Sequence, residues 1–386
     1  MSDHQSAAAR NESPVRVLFV DHAEALGGAE HSLLLLLRCL DRTRVTPLLA
    51  CGPGPLRDGA LAAGVPCHIL PLDRVRGRFL GFLALGRGAW KLARLARRER
   101  ADLLCANTVR GSLYAGLASV LSRVPLVWYV RDILASGPYT RMLGRLATEV
   151  VAVSEDASRS LPCEATVVPN GLLPGEFVAD TDAAERRSQW GISADVPVVG
   201  IVGRLRAWKG QDHFLRAMRV VADAIPDARF LVVGATIFEG GEPYLPTLER
   251  LAAELGLEDK VVFAGYQDDM PRAYATMDVV VHCSVEPEPF GRVIIEAMAA
   301  GRPVVAYAQG GPKEIVVHGK TGLLVPPHDH EALGLATLAL LQDSRRRREM
   351  GEAARARVMA RYDARDVAHR VEDILVQVAR QRGART

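Results

Sequence analysis

Short β-branched runs alternate with longer stretches of helical period through nearly the whole chain. VRVLFV (15–20), VTPLLA (45–50), PCHIL (66–70), ADLLCA (101–106), PLVWYV (125–130) and EVVAV (149–153) read as strands. None shows a clean apolar–polar alternation, so both faces of each strand are buried, as in a parallel sheet covered by helices on either side. After a stretch rich in Pro and acidic residues the pattern restarts with VPVVGIVG (196–203) and ARFLVVG (228–234). KVVFAG (260–265), DVVVHC (278–283) and RPVVAY (302–307) follow. The fold class this predicts is α/β, with two successive Rossmann-like, doubly wound parallel sheets. Ligands bind such sheets beyond the carboxyl ends of their strands, so loops of both domains would face a cleft. No solenoid or propeller period is present.

At 386 residues the chain is too long for one typical core. The pattern divides it into a loose polar tail (1–13), an N-terminal domain (14–175) and a linker (176–195). A second domain (196–362) and a C-terminal helix (363–386), expected to pack back on the first domain, complete it. The segment from Ser344 onward is helical and charge-rich, with four arginines at 345–348; an ordinary surface helix is the other reading.

Composition narrows the function mainly by exclusion. A net charge of +3 gives no nucleic-acid signal. The Leu33–Leu37 run is far short of the ~20 apolar residues that a membrane helix needs. The first thirteen residues lack the apolar core of a signal peptide. Cys39, Cys51, Cys67, Cys105, Cys163 and Cys283 form no C-x-x-C pair and fit small buried hydrophobes in a reducing cytoplasm. Asp180-Thr181-Asp182 has metal-ligand spacing, but no apolar strand precedes it, which favours a solvated acidic segment. No H-E-x-x-H, G-x-S-x-G or G-x-x-x-x-G-K-[ST] is present, so zinc-protease, α/β-hydrolase and P-loop chemistries are disfavoured.

Three segments remain as candidate chemistry. SVEPEPFGRVIIEAMAAG (284–301) puts Glu288 in a Pro-rich loop and Glu296 inside an apolar helix that begins after Phe290-Gly291. At a rise of about 1.5 Å per residue, Glu296 sits roughly 8 Å beyond Gly291 along the axis, a separation suited to a nucleotide-sugar. GRLRAWKG (203–210) follows a strand and carries Arg204 and Lys209 between glycines, where two cations can neutralise a diphosphate without a metal. Gly27-Gly28-Ala29-Glu30 follows the first strand. Glycines there let a ligand approach backbone N–H groups at a helix start. A plain turn with Glu30 complementing the helix dipole is the alternative.

With GGAE (27–30), VSE (153–155), PNG (169–171), GRLRAWKG (203–210), EPFGRVIIEAMAAGRPVVA (288–306), GGPKEIV (310–316) and TGLLVPP (321–327) in this order, the chain resembles the retaining glycosyltransferases of family 4. The resemblance spans roughly residues 15 to 365 and implies the two-domain GT-B fold. It implies transfer of a sugar from a uridine or guanosine diphosphate sugar to a hydroxyl of a glycan, a lipid-linked acceptor or a small molecule. Configuration would be retained, with no cofactor and no essential metal. By that likeness Arg204 and Lys209 would bind the diphosphate and Glu288 the sugar hydroxyls. Phe290 and Gly291 would offer backbone N–H groups, with Arg292 beside them, and Glu296 would hold the ribose. Gly27 and Gly28 would approach the donor phosphate or the acceptor, and the backbone near Tyr266 would face the base. Asp132 and Asn170 would lie on the acceptor side.

One position departs from the family pattern. The family commonly carries a His-Asp pair after the strand matching PLVWYV; here the pair is Arg131-Asp132. A guanidinium cannot act as a base, though it can donate hydrogen bonds to sugar or phosphate. A non-catalytic nucleotide-sugar-binding protein that lost turnover with its histidine is therefore one competing reading, and a nucleotide-sugar 2-epimerase or phosphorylase of similar fold is another. The segment 73–100 holds nine Lys or Arg, interleaved with Leu, Phe and Trp90, against Asp73 and Glu99. Residues 74–100 could meet an anionic membrane at its cytoplasmic face; a surface helix with snorkelling arginines is the alternative.

Overall fold

The computed structural model describes residues 13–23, 26–70, 72, 79–177, 183–236 and 244–383. They form two compact units. The first comprises the chain up to Val153, Ser158–Val168 and the segment from Ala364; the second comprises Ser154–Ala157 and Pro169–Asp363.

The first unit is built on strands β1 (Val15–Val20), β2 (Val45–Cys51), β3 (Cys67–Ile69), β4 (Leu103–Ala106), β5 (Leu126–Val130), β6 (Glu149–Ala152) and β7 (Thr166–Val167). All neighbours are parallel, in the order β3-β2-β1-β4-β5-β6-β7. Val17–Val20 and Leu103–Ala106 are buried throughout because helices cover both sheet faces. Leu18, Leu92, Ala96, Leu104 and Tyr114 meet in one core cluster under the helices Phe79–Arg98 and Val109–Ser122. Each such Leu contributes roughly 1.5–3 kcal/mol by its burial. The C-terminal helix Ala364–Gly383 is part of this unit. There the buried Glu372 accepts the Asp41 N–H at 2.6 Å and pairs with Arg44 at 3.1 Å.

The second unit has strands β8 (Val198–Val202), β9 (Arg229–Val233), β10 (Val261–Gly265), β11 (Val279–His282), β12 (Val304–Tyr307) and β13 (Gly322–Val325). They are again all parallel, in the order β10-β9-β8-β11-β12-β13. The helices Gln211–Ala224 and His330–Gln342 bring Phe214, Met218, Leu333 and Leu340 into its core. The stretch read from sequence as a linker contributes a helix, Ala183–Gln189, to this unit. Arg187 fastens it, donating to Thr276 O at 2.9 Å and pairing with Asp278 at 3.1 Å. Asp180 and Asp182 lie outside the described residues.

Every run expected to be a strand contains one. β7 and β13 were not expected: the first is two residues long, and the second starts on a glycine inside TGLLVPP.

Candidate functional site

In each unit the strand order reverses direction at one point, which is where doubly wound sheets hold ligands. In the first unit that point lies between β1 and β4, and the residue leaving each strand is polar. Asp21 follows β1, Asn107 follows β4 and Arg131 follows β5. These three form a buried chain. Asn107 Nδ2 donates to Asp21 Oδ2 at 2.7 Å, and Arg131 Nε donates to Asn107 Oδ1 at 2.5 Å. The Arg131 guanidinium lies over the Tyr129 ring, 4.0 Å from its centroid. Asp21 is fully buried and also accepts the Ala23 N–H at 2.8 Å. Burial, followed by the charge of Glu30, pushes its carboxyl up to about 6. Asp132 is exposed, at the same strand end.

Of the two readings of the glycine pair, the structure shows a closed helix start at Gly27. Glu30 turns back so that its Oε2 accepts the Gly27 N–H at 2.8 Å. The acid closes the start of helix Gly28–Cys39, as an acidic third residue does in a capping box. The Gly27 N–H is thereby satisfied within the chain. Gly28 is the exposed member of the pair.

In the second unit the reversal lies between β8 and β11. Gly203-Arg204 follows β8, and a single 3₁₀ turn, Ala207–Lys209, leads into helix Gln211–Ala224. Gly210 joins the two with φ 74°, and a Cβ there would stand 2.0 Å from Cys283 O, so only glycine lets this loop close onto the end of β11. Lys209 Nζ and the Arg204 guanidinium lie 4.2 and 5.9 Å from the Trp208 ring centroid.

Lys209 Nζ donates to Glu288 Oε2 at 2.5 Å. The same oxygen accepts from Ser284 Oγ at 3.0 Å and lies 3.5 Å from His282 Nε2. Burial alone would raise the Glu288 carboxyl; the charge of Lys209, with smaller help from His282, instead holds it well below the carboxylate range. Beneath this loop Gly311 donates its N–H to Glu288 O at 2.8 Å. Gly310, with φ 61°, has no room for a Cβ, which would stand 2.3 Å from the same oxygen.

Glu296 lies on the helix Arg292–Ala299 and is buried. Its Oε1 pairs with Arg292 at 2.9 Å and its Oε2 accepts from Tyr274 Oη at 3.0 Å. Burial, then the Glu296 charge, raises the Tyr274 phenol well above its ordinary value, so it stays a donor. Gly291 precedes the helix at φ 105°. The Phe290 side chain is buried edge-on against Tyr362, so only its backbone is left to meet a ligand.

The second unit therefore gathers Arg204, Lys209 and Glu288 at one strand reversal, with Arg292 and Glu296 on the helix that follows the Glu288 loop. Tyr266 is exposed beyond β10, the edge strand, two positions from β8. Asn170 was expected on the acceptor side of the first domain, but the chain has already left that unit after Val168, and Asn170 is buried in the second. Asp21, Asn107, His282, Ser284 and Tyr274 escaped the sequence reading. A usable signal existed for the first three: a polar residue at or just after the end of an apolar strand.

Two family models match the chain in succession, Glycosyltransferase Family 4 over residues 26–172 and Glycosyl transferases group 1 over residues 182–357. The 2-deoxystreptamine N-acetyl-D-glucosaminyltransferase of Streptomyces fradiae is 31% identical, with 93% of each chain covered. The chain belongs to glycosyltransferase family 4. The solved structure of Anabaena HepE in complex with UDP and glucose matches this family 4 chain with a TM-score of 0.82 and 30% identity. It covers 94% of this chain and 99% of that one, which confirms the GT-B fold. The GDP-mannose-dependent alpha-(1-6)-phosphatidylinositol monomannoside mannosyltransferase of Mycolicibacterium smegmatis is 36% identical over 54% of this chain, a match spanning 55% of that protein's length.

Proposed function

We propose that the protein transfers a sugar from a uridine or guanosine diphosphate sugar to an acceptor hydroxyl, with retention of configuration and without an essential metal. The observation that carries this reading is the Lys209–Glu288 pair at the β8–β11 reversal, flanked by Arg204. Arg204 and Lys209 would bind the diphosphate and stabilise the charge that develops as it leaves. Glu288 would hold sugar hydroxyls, and Glu296, kept in place by Arg292 and Tyr274, would hold the ribose. The acceptor hydroxyl would attack from the face the diphosphate leaves. The HepE structures with UDP, glucose and UDP-glucose, and the full-length likeness to an aminosugar transferase, support a nucleotide-sugar donor.

The test is incubation with a panel of uridine and guanosine diphosphate sugars and hydroxyl acceptors, with product anomers read by NMR, with and without a chelator. A product of unchanged anomeric configuration, formed equally with chelator, is the expected result; an inverted anomer or complete loss with chelator would overturn those parts of the reading. The guanidinium fixed at position 131 favours a second reading, a nucleotide-sugar-binding protein without turnover. It would bind the donor and release no nucleotide.

The helix Phe79–Arg98 carries Leu83, Arg87, Trp90, Arg94 and Arg97 exposed along one stripe, with Arg94 5.6 Å from the Trp90 ring centroid. Among the described residues no helix is long and apolar enough to cross a membrane. This stripe fits peripheral contact with an anionic membrane surface, from which a lipid-linked acceptor could be reached. Residues 74–78 of the basic stretch lie outside the described residues.

A further inference from the structure

His282 ends β11 at the strand reversal, with 5% of its surface exposed. Neither ring nitrogen has a hydrogen-bond partner among the described residues. Its Nε2 stands 3.5 Å from Glu288 Oε2, the atom that Lys209 and Ser284 already reach at 2.5 and 3.0 Å. A buried imidazole whose Nδ1 meets no partner and whose Nε2 only approaches a carboxylate at 3.5 Å is costly, because neither nitrogen regains in full the hydrogen bond it gave up to water. Such a group calls for an explanation in terms of what the site does.

We infer that His282 is a positioning residue that takes over Glu288 when Lys209 turns to the donor diphosphate. The inference rests on the proposed donor reading, in which Lys209 must serve phosphate oxygens. One ammonium cannot hold both a buried carboxylate and a diphosphate at full strength. A buried carboxylate stripped of its cation is strongly destabilised. His282 removes that obstacle: a small movement of Glu288 brings Oε2 within hydrogen-bond reach of Nε2–H. Ser284 holds the same oxygen throughout. Lys209 is then released to the diphosphate while Glu288 stays oriented for the sugar. The groups acting on the Glu288 carboxylate are Lys209 from the 3₁₀ turn, His282 from β11 and the neutral Ser284 hydroxyl. His282 itself touches no donor atom in this scheme.

Binding of UDP and of GDP, measured by calorimetry on the full chain, tests the exchange. His282→Leu removes the donor and leaves Lys209 held on Glu288; nucleotide affinity is expected to fall about tenfold, the weight of a hydrogen bond to a charged group. His282→Gln keeps an N–H donor and is expected to retain most of the affinity. Adding Glu288→Gln to His282→Leu removes the charge that detains Lys209, and is expected to recover most of the tenfold loss. A packing role for His282 would show no such recovery. Equal affinity for wild type and His282→Leu, or a loss that Glu288→Gln leaves untouched, would overturn the inference. If His282→Leu fails to fold, a loss in His282→Gln as large as that in His282→Ala would overturn it instead. Failure of the wild type to bind either nucleotide would overturn the donor reading, and this inference with it. That outcome differs from wild-type binding that is indifferent to position 282.

Discussion

Lys209 Nζ stands 2.5 Å from Glu288 Oε2, although 79 residues separate them in the chain. The pair ties the loop after β8 to the loop after β11, and its two members are assigned different parts of the donor. Lys209→Ala should lower kcat by about 10²–10³, the usual effect of removing one preorganised donor from a developing charge. It should also destabilise the fold by roughly 2 kcal/mol, between the values for exposed and fully buried pairs.

That stability loss has a defined pH dependence. Glu288 is held below its unfolded value of 4.5, so the pair's contribution is fully present above that pH and is lost as pH falls through the folded value. The difference in melting temperature between wild type and Lys209→Ala should be largest at pH 6–7 and shrink below pH 4. A pH-independent gap would mean that Lys209 does not set the charge state of Glu288.

Asp21 has the opposite sign. Its folded value of about 6 lies above the ordinary value of 3.8, so the folded state keeps a proton that the unfolded chain has lost. The group therefore stabilises the fold least above pH 6, and the change between pH 4 and 6 is about 3 kcal/mol, two units at 1.36 kcal/mol each. Asp21→Asn should gain on the wild type by up to that amount as pH rises from 4 to 6.5. Chemical denaturation at four pH values would show it; a constant difference would contradict it.

Tyr274→Phe removes the hydrogen bond to Glu296 Oε2 while keeping the buried ring. The loss in stability should be about 1 kcal/mol. If Glu296 holds the ribose, donor KM should rise severalfold with kcat little changed, because a ground-state contact has been loosened. Gly310→Ala should be worse on both counts. Its Cβ would collide with Glu288 O at a positive φ, so steady-state kinetics should show a large fall in kcat/KM, with about 2 kcal/mol or more of stability lost.

Trp90→Ala combined with Arg94→Glu tests the proposed membrane stripe. Both side chains are exposed, so the melting temperature should hardly move. Sedimentation with phosphatidylserine vesicles at low salt should drop severalfold. No binding by the wild type would remove the membrane contact altogether.

The sheet strands were legible because burial on both faces forces uninterrupted apolar runs, and the loops that carry Arg204, Lys209 and Glu288 at strand ends were legible because glycines and prolines punctuate them; the helix that carries Glu296 was legible as an apolar run. What stayed hidden depends on contacts distant in sequence. Tyr274 reaches Glu296 from 22 residues away, and Asn107 joins Asp21 to Arg131 across three strands. A plain turn with Glu30 near the helix start was among the readings open from the sequence, but the return of its side chain onto the Gly27 N–H was not. The excursion of 154–157 and the early exit at Val168 are set by tertiary packing, which no local pattern announces.

Use of a nucleoside diphosphate sugar held by Lys209 and Glu288 is the activity proposed for this chain. It is tested most directly by titrating uridine and guanosine diphosphate sugars into wild type and Lys209→Ala, following thermal stabilisation and nucleotide release together. The expected result is stabilisation of the wild type by at least one donor, with nucleotide released, and both signals strongly reduced in Lys209→Ala. No stabilisation of the wild type by any donor, or equal stabilisation and release in the two proteins, would contradict it.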